Sequence, residues 1–368
     1  MAGRIVVFGA TGYTGRLTAQ ALVDRGGRPA LAGRNRARLS ELATELGGGL
    51  EVAVADVAQP ATVGALVEAG DVLVTTVGPF ARWGDPAAEG AVRAGAHYID
   101  STGEPSFIRR VFEHYGPGAA REGVGMLTAF GYDWVPGNLA GALALREAGA
   151  PAARVDVGYF ITGGGGKGSM SGGTRASLAG AVGAPSFGWR EGALEPERGA
   201  ARLRTFRLHG KDRSAVSVGS SEHFALPRLH PELREVNSYL GWFGPLSRPM
   251  QGASLAGSVA FRMPGARALL GALTERVVKG STGGPDQGER TRSGSHVVGV
   301  AYDSAGRQLS EVHLGGVDPY TFTGRILAWG AERAAAGGLK GVGALGPVDG
   351  FGLDALEAGC AEAGIGRA

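Results

Sequence analysis

The chain carries one cysteine, Cys360, in 368 residues. That scarcity excludes an intramolecular disulfide and a thiolate metal cage. Cys360 falls inside the helical pattern Leu353 to Ala363, so it reads as a bystander and not as a nucleophile. Long apolar runs are missing too. None approaches the roughly 18 residues needed to span a bilayer, and the chain enters its first strand at Ile5 without a leader pattern. A cytoplasmic protein with no integral membrane segment is therefore expected. The histidines, at 97, 114, 209, 223, 230, 296 and 313, lack the paired spacing of a zinc site, so no metal is expected. Aromatic residues make up only 7% of the chain, and the formal charge of +3 comes from dispersed basic residues. No basic stripe is interleaved with aromatics, so nucleic acid is not an expected partner. Net charge leaves a mild preference for acidic partners, such as an acyl carrier protein.

What the chain has in excess is glycine, 67 residues of it. The turn Gly9-Ala-Thr-Gly12-Tyr-Thr-Gly15 follows the apolar run Ile5 to Phe8 and precedes the helical pattern Leu17 to Val23. Strand, glycine-rich turn and helix in that order form a dinucleotide site: Gly9 takes the tight turn, Gly12 admits a pyrophosphate, and Gly15 allows close packing of helix on strand. Thr11, Tyr13 and Thr14 complete this set of candidate cofactor residues. The second strand, Ala30 to Ala32, ends in Gly33-Arg34-Asn35-Arg36, where NAD-dependent proteins usually carry an acid for the ribose 2′-hydroxyl. None is present. Arg34, supported by Asn35 and by Arg36 or Arg38, offers guanidinium donors for a 2′-phosphate, so NADP(H) is the expected cofactor. The other reading is a solvated basic start to the helix Ala37 to Leu46.

The third strand, Leu50 to Ala55, ends at Asp56, which suits the adenine side of a nucleotide and suits equally a helix cap near Ala61. The fourth, Asp71 to Val77, runs into Gly78-Pro79-Phe80. Val77, Gly78, Pro79 and Phe80 then lie where ligands bind in open α/β sheets, against the alternative of a packing turn. The fifth strand, His97 to Asp100, leads to Thr102 and Gly103, two further cofactor candidates, and Gly125 to Phe130 reads as a sixth. Residues 1–135 are thus expected to form a Rossmann-type doubly wound parallel sheet of α/β class. From Arg154 the period changes to two, with Val155, Val157, Tyr159 and Ile161 on one face. The turn Asp303 to Gly306 predicts a hairpin. Residues 136–340 therefore read as an α+β substrate and dimerisation domain with a mixed sheet, and 341–368 as a C-terminal helix returning to the first domain.

The four segments Gly9 to Gly15, Val77 to Phe80, His97 to Glu104 and Gly131-Tyr-Asp-Trp-Val-Pro-Gly-Asn-Leu139 together resemble the saccharopine dehydrogenase-like oxidoreductases, in particular the trans-acting enoyl reductases. Ser171 to Thr174, Gly315 to Tyr320 and Gly343 to Pro347 extend the resemblance along the chain. It implies that the helices Thr321 to Ala335 and Leu353 to Ala363 return to the cofactor domain. The chain departs from the usual Gly-Phe-Asp-Ser-Val-Pro-Ser-Asp-Leu pattern at Tyr132, Trp134, Gly137 and Asn138, which makes the wall bulkier and removes one carboxylate. Trp134 and the Ser171-Gly172-Gly173-Thr174 loop, whose N–H groups suit a carbonyl, carboxylate or pantetheine phosphate, are the expected substrate-binding residues. Tyr132, Asp133 and Tyr98 are the candidate proton donors. The leading expectation is an NADPH-dependent reductase of an activated C=C bond in an apolar acyl or polyketide-like substrate, small or carrier-bound. The alternatives are a C=N reductase and a cofactor-binding protein without turnover. A homodimer through the second sheet is a further expectation.

Overall fold

A computed structural model describes residues 3–163, 185–242, 244–260 and 283–368. These fall into two compact units, residues 1–135 with 319–364, and residues 136–318 with 365–368.

In the first unit, short apolar runs separated by helices make β1 (Ile5–Phe8), β2 (Ala30–Gly33), β3 (Val52–Val54), β4 (Val72–Thr75), β5 (His97–Asp100) and β6 (Gly125–Leu127). β2 and β4 are buried at every position, as strands covered by helices on both faces must be. All pair in parallel, in the order β3-β2-β1-β4-β5-β6, with the strand Gly343–Ala344 added beyond β6. The order reverses between β1 and β4, and a crevice opens at the carboxyl ends of strands at such a point. The expected doubly wound parallel sheet is present. Its first helices are α1 (Tyr13–Asp24) and α2 (Arg36–Glu45). Their apolar stripes, with Leu22, Leu39 and Leu42, close on Val7 and Leu31.

Three limits differ from those read in the sequence. The helix Pro319–Ala335 belongs to this unit, as the resemblance implies, because Ala328 joins the core of Val7 and Leu22 and Tyr320 lies edge-on to Tyr13 at 5.1 Å. The 136–340 span therefore ends at Asp318, and the final residues 365–368 belong to the second unit. The sixth strand stops at Leu127 instead of Phe130, since Ala129 turns to φ 58° and the Phe130 N–H reaches the Asp100 carbonyl at 2.7 Å.

The second unit is built on a mixed sheet of β7 (Arg154–Gly163), β8 (Pro185–Arg190), β9 (Ala193–Arg198), β10 (Leu203–Leu208), β11 (Lys211–Val218), β12 (Glu235–Leu240), β13 (Ser293–Tyr302) and β14 (Gln308–Gly316). The path runs β10-β11-β12-β7-β13-β14 and ends on Ile365–Arg367; β12 and β7 are parallel and the other pairs antiparallel. The β13–β14 hairpin turns at Asp303, whose Oδ1 accepts from the N–H groups of Ala305 at 3.0 Å and Arg307 at 2.9 Å. On one face, the backbone of the helix Val135–Ala148 comes so close that a Cβ on Gly299 would lie 2.4 Å from the Ala140 carbonyl oxygen. On the other, Phe206 of β10 lies over Gly158 and beside Phe160. β7 is consequently buried on both faces and not only on the face of Val155, Val157 and Tyr159.

Among the described residues no helix is long and apolar enough to cross a membrane, and no cluster of three or more His, Cys, Asp or Glu could hold a metal ion.

Candidate functional site

The site is built at the carboxyl ends of β1 and β4. Gly9 leaves β1 at φ 88°, and its N–H donates to the Ala32 carbonyl at 2.9 Å, tying the turn to the end of β2. A side chain is excluded there by conformation. It is excluded at Gly15 by space, since a Cβ would sit 2.2 Å from the Gly9 carbonyl oxygen. Thr76, just past β4, donates its hydroxyl to the Phe8 and Gly9 carbonyls at 3.3 Å and fixes the turn from the other side. Gly12 is the N-cap of α1 and offers no side-chain acceptor to the first-turn N–H groups. Those donors, with Thr11 exposed and Tyr13 and Thr14 partly so, form an anion seat that a pyrophosphate fits.

α2 makes the contrast. Its N-cap Asn35 accepts from the Arg38 N–H at 3.1 Å, so Asn35 is occupied in holding the helix that carries the basic side chains. Arg34, Arg36 and Arg38 are exposed, and among the described residues their guanidinium groups have no hydrogen-bond or ion-pair partner. Arg16, nearby in sequence, is engaged with Glu45. Asp56 is spent on its own turn. Its Oδ1 accepts from the Ala58 N–H at 3.0 Å, while Gln59 and not Asp56 is the N-cap of the helix Pro60–Gly64.

Beyond β4 and β5, the loops are held by two acids that sequence reasoning did not single out. Glu104 grips the loop after β4, accepting from the N–H of Phe80 at 2.8 Å and of Ala81 at 2.9 Å. Pro79, Phe80 and the helix Phe80–Trp83 are thereby fixed on the β5 side of the crevice, with Val77 against Gly9 and Gly78 against the Phe80 ring. Asp100 is fully buried. It accepts from the Thr102 and Ala129 N–H groups at 2.8 Å and from the Thr128 hydroxyl at 2.7 Å, joining the end of β5 to the end of β6. Burial pushes its pKa up to about 6 against the pull of those donors. Thr102 is also buried, its hydroxyl accepting from the Glu104 N–H at 3.1 Å, so it shapes the loop from within.

Gly103 leaves room for Asp133. A Cβ on Gly103 would lie 3.1 Å from Asp133 Oδ2, and Asp133 Oδ1 is sealed from solvent without a hydrogen-bond partner among the described residues. Burial alone pushes this carboxyl from its ordinary 3.8 to about 7, with no cation to oppose it. The other two candidate donors are placed differently. Tyr98, expected at a strand end, is the second residue of β5, paired between Leu73 and Met126 and wholly buried, and burial and the neighbouring Asp100 carboxylate raise its pKa well above 10. Tyr132 is buried with its ring edge-on to Phe322, its backbone N–H donating to Thr323 Oγ1 at 3.0 Å. Trp134 is likewise interior, so it packs the unit and presents no open wall. Asp133 lies in the turn between β6 and the helix Val135–Ala148, and the rings beside it are core.

Ser171, Gly172, Gly173 and Thr174 lie outside the described residues. In the second unit the structure reveals a buried polar network that periodicity did not signal. The Tyr159 hydroxyl donates to Glu222, Asn138 donates to the Ser221 hydroxyl at 2.9 Å, and a Cβ on Gly137 would overlap the Tyr159 hydroxyl. Two positions that depart from the family pattern, Gly137 and Asn138, are therefore matched to residues of the same unit. The only available signal was the unusual pair itself. Cys360 is buried, and burial raises its pKa out of the nucleophilic range.

Residues 5–122 match the saccharopine dehydrogenase NADP binding domain. A Mycobacterium tuberculosis protein provisionally named a trans-acting enoyl reductase is 40% identical over 182 residues, 47% of this chain and 43% of that protein. The trans-acting enoyl reductase of Mycobacterium ulcerans is 40% identical over 140 residues, 37% of this chain and 34% of its own. The chain thus spans less than half the length of the curated relatives it matches. A saccharopine dehydrogenase (L-Glu forming) from Saccharomyces cerevisiae shares the fold, with a TM-score of 0.60 at 12% identity, covering 100% of this chain and 99% of that one. Residues 5–122 are accordingly similar to the NADP-binding domain of the saccharopine dehydrogenases, in a chain similar to the trans-acting enoyl reductases.

Proposed function

We propose that this chain is an NADPH-dependent oxidoreductase that reduces an activated C=C bond in an apolar acyl or polyketide-like substrate, free or carrier-bound, in biosynthesis. The observation that carries the reading is an uncapped first turn of α1 facing the switch point, beside three guanidinium groups that have no partner among the described residues and no acid among them. Backbone N–H groups of Thr11, Tyr13, Thr14 and Gly15 bind the pyrophosphate, that of Gly12 being taken by the Gly9 carbonyl at 2.8 Å, and Arg34, assisted by Arg38, binds the 2′-phosphate. Val77, Gly78, Pro79 and Phe80, held by Glu104, form the nicotinamide end of the crevice with Gly103, while Thr102 is buried and supports the loop from within. NADPH, when bound, supplies the reducing equivalent.

The Asp133 carboxyl holds a proton up to neutral pH and delivers it to the substrate carbon next to the carbonyl as the C=C bond is reduced. Its burial keeps water from the same position. Likeness to the trans-acting enoyl reductases favours the alkene over an imine acceptor. The test is NADPH consumption with a panel of enoyl thioesters, enones and cyclic imines. Turnover of the conjugated alkenes is expected. Turnover of the imines alone would replace this reading by a C=N reductase, and tight NADPH binding without turnover of any acceptor would replace it by a non-catalytic cofactor protein.

A further inference from the structure

The second unit carries a concentration of arginine that its own acids do not balance. Arg154 and Arg204 share one carboxylate, Asp156, which lies 3.6 Å from Arg154 Nε and in direct contact with Arg204. Arg190 and Arg202 share another, Glu197, at 3.6 Å from Arg190 Nη2 and 2.7 Å from Arg202 Nη2. Arg190 Nη1 donates to the Val236 carbonyl at 3.0 Å and the next residue of β12, Asn237, donates to Asp156 Oδ1 at 2.6 Å, so β12 joins the two groups. Arg198 adds a fifth cation, satisfied by the carbonyls of Ala200, Ala201 and Gln251. Four guanidinium groups therefore contact two carboxylates, and Arg198 follows Glu197 in β9.

The side chains are half-buried and pre-set in position. The Arg154 guanidinium stacks over the Tyr302 ring at 4.1 Å, and that of Arg204 over Phe206 at 4.4 Å, contacts that order a guanidinium without using its N–H donors. Among the described residues three donors, Arg154 Nε, Arg190 Nη2 and Arg202 Nε, are sealed from bulk water with no hydrogen-bond acceptor; the carboxylates facing the first two stand 3.6 Å away, beyond hydrogen-bonding distance. Buried charged donors without acceptors are costly unless something else accepts from them.

We propose that this arginine cluster, between β7, β8, β10 and β12, is an oxyanion site that binds a phosphate group. Planar N–H pairs on several arginines match the several oxygens of phosphate, and the excess cationic charge supplies the balance. The site is separate in sequence from the dinucleotide residues, and it does not depend on the reaction proposed above.

The test is calorimetric titration of the NADPH-saturated protein with inorganic phosphate at constant ionic strength, so that the Arg34 region is already occupied. Saturable binding is expected. Arg190→Gln and Arg202→Gln should each weaken it at least tenfold, while Arg109→Gln, which removes an exposed pair with Glu113, should leave it unchanged. Glu197→Gln should tighten it several-fold by removing the competing acceptor, an outcome a misfolded variant cannot give. Phosphopantetheine run in parallel separates sources: tenfold tighter binding than inorganic phosphate assigns the site to a thioester arm, and equal binding assigns it to a free phosphate. Absence of saturable binding, weaker binding in Glu197→Gln, or tighter binding of glutarate than of phosphate would each overturn the proposal. If NADPH itself fails to bind, the same titration on the free protein still decides it.

Discussion

Replacing Asp133 by asparagine should make the protein more stable and less active, and the gain in stability should depend on pH in a calculable way. The carboxyl is protonated in both folded and unfolded chains below about pH 4, so its burial costs nothing there. Between its ordinary 3.8 and its folded value of about 7, the unfolded chain ionises while the folded one does not, and stability falls as pH rises. Above about pH 7 the loss is constant. At about 1.4 kcal/mol for each factor of ten in acidity, the full loss is about 4 kcal/mol. At pH 5 only about 1.6 kcal/mol of it has developed.

Asp133→Asn removes the titration. Its stability advantage over the parent chain should therefore grow by about 2–3 kcal/mol between pH 5 and pH 8, with the same slope of free energy against denaturant. Urea unfolding at the two pH values measures this directly. An equal difference at both would mean that Asp133 ionises freely in the folded chain, and the argument for it as a proton reservoir would fail. The same variant should lose most of its reductase turnover while keeping its affinity for NADPH. Stability gained where activity is lost is what a strained functional group produces.

Other substitutions probe other parts of the site. Arg34→Ala should weaken NADPH by about 10–100-fold, the worth of a charge-assisted contact, and leave NADH nearly unchanged; equal losses in fluorescence titrations would assign Arg34 to the surface alone. Gly12→Val should abolish nucleotide binding in a folded chain, since a Cβ there meets only the Gly9 carbonyl oxygen at 3.1 Å, whereas Gly15→Val, at 2.2 Å from the same atom, should lower the melting temperature as well. Calorimetry on both variants checks the contrast, and retained binding in Gly12→Val would count against the site. Glu104→Gln keeps one acceptor for the Phe80 and Ala81 N–H groups and should cost about 1–2 kcal/mol of stability; a larger fall in kcat than in NADPH affinity is expected, and an unchanged kcat would limit Glu104 to a structural role.

How far the site could be read from sequence follows from how far apart its parts lie. β1, the glycine turn and α1 occupy twenty contiguous residues, so period, turn chemistry and helix start all report on the same object. The missing acid after β2 is equally local, and so were the arginines that replace it. Glu104 acts on N–H groups 24 residues away, Asp100 on a hydroxyl 28 away, and Tyr132 leans on Thr323 across 191; no window of sequence contains both partners. The same distance effect explains β7. Its alternation was visible, but its second buried face exists because Phe206, on a hairpin some fifty residues later, covers Gly158 and Phe160. It also explains the misplaced boundary at residue 319, since the helix Pro319–Ala335 completes a core begun by Val7 and Leu22. The candidate proton donors sort by the same rule. Tyr98, Tyr132 and Asp133 were indistinguishable by type and position, and only tertiary burial separates two core rings from a half-buried carboxyl with one oxygen sealed and unpaired among the described residues, and so protonated near neutral pH.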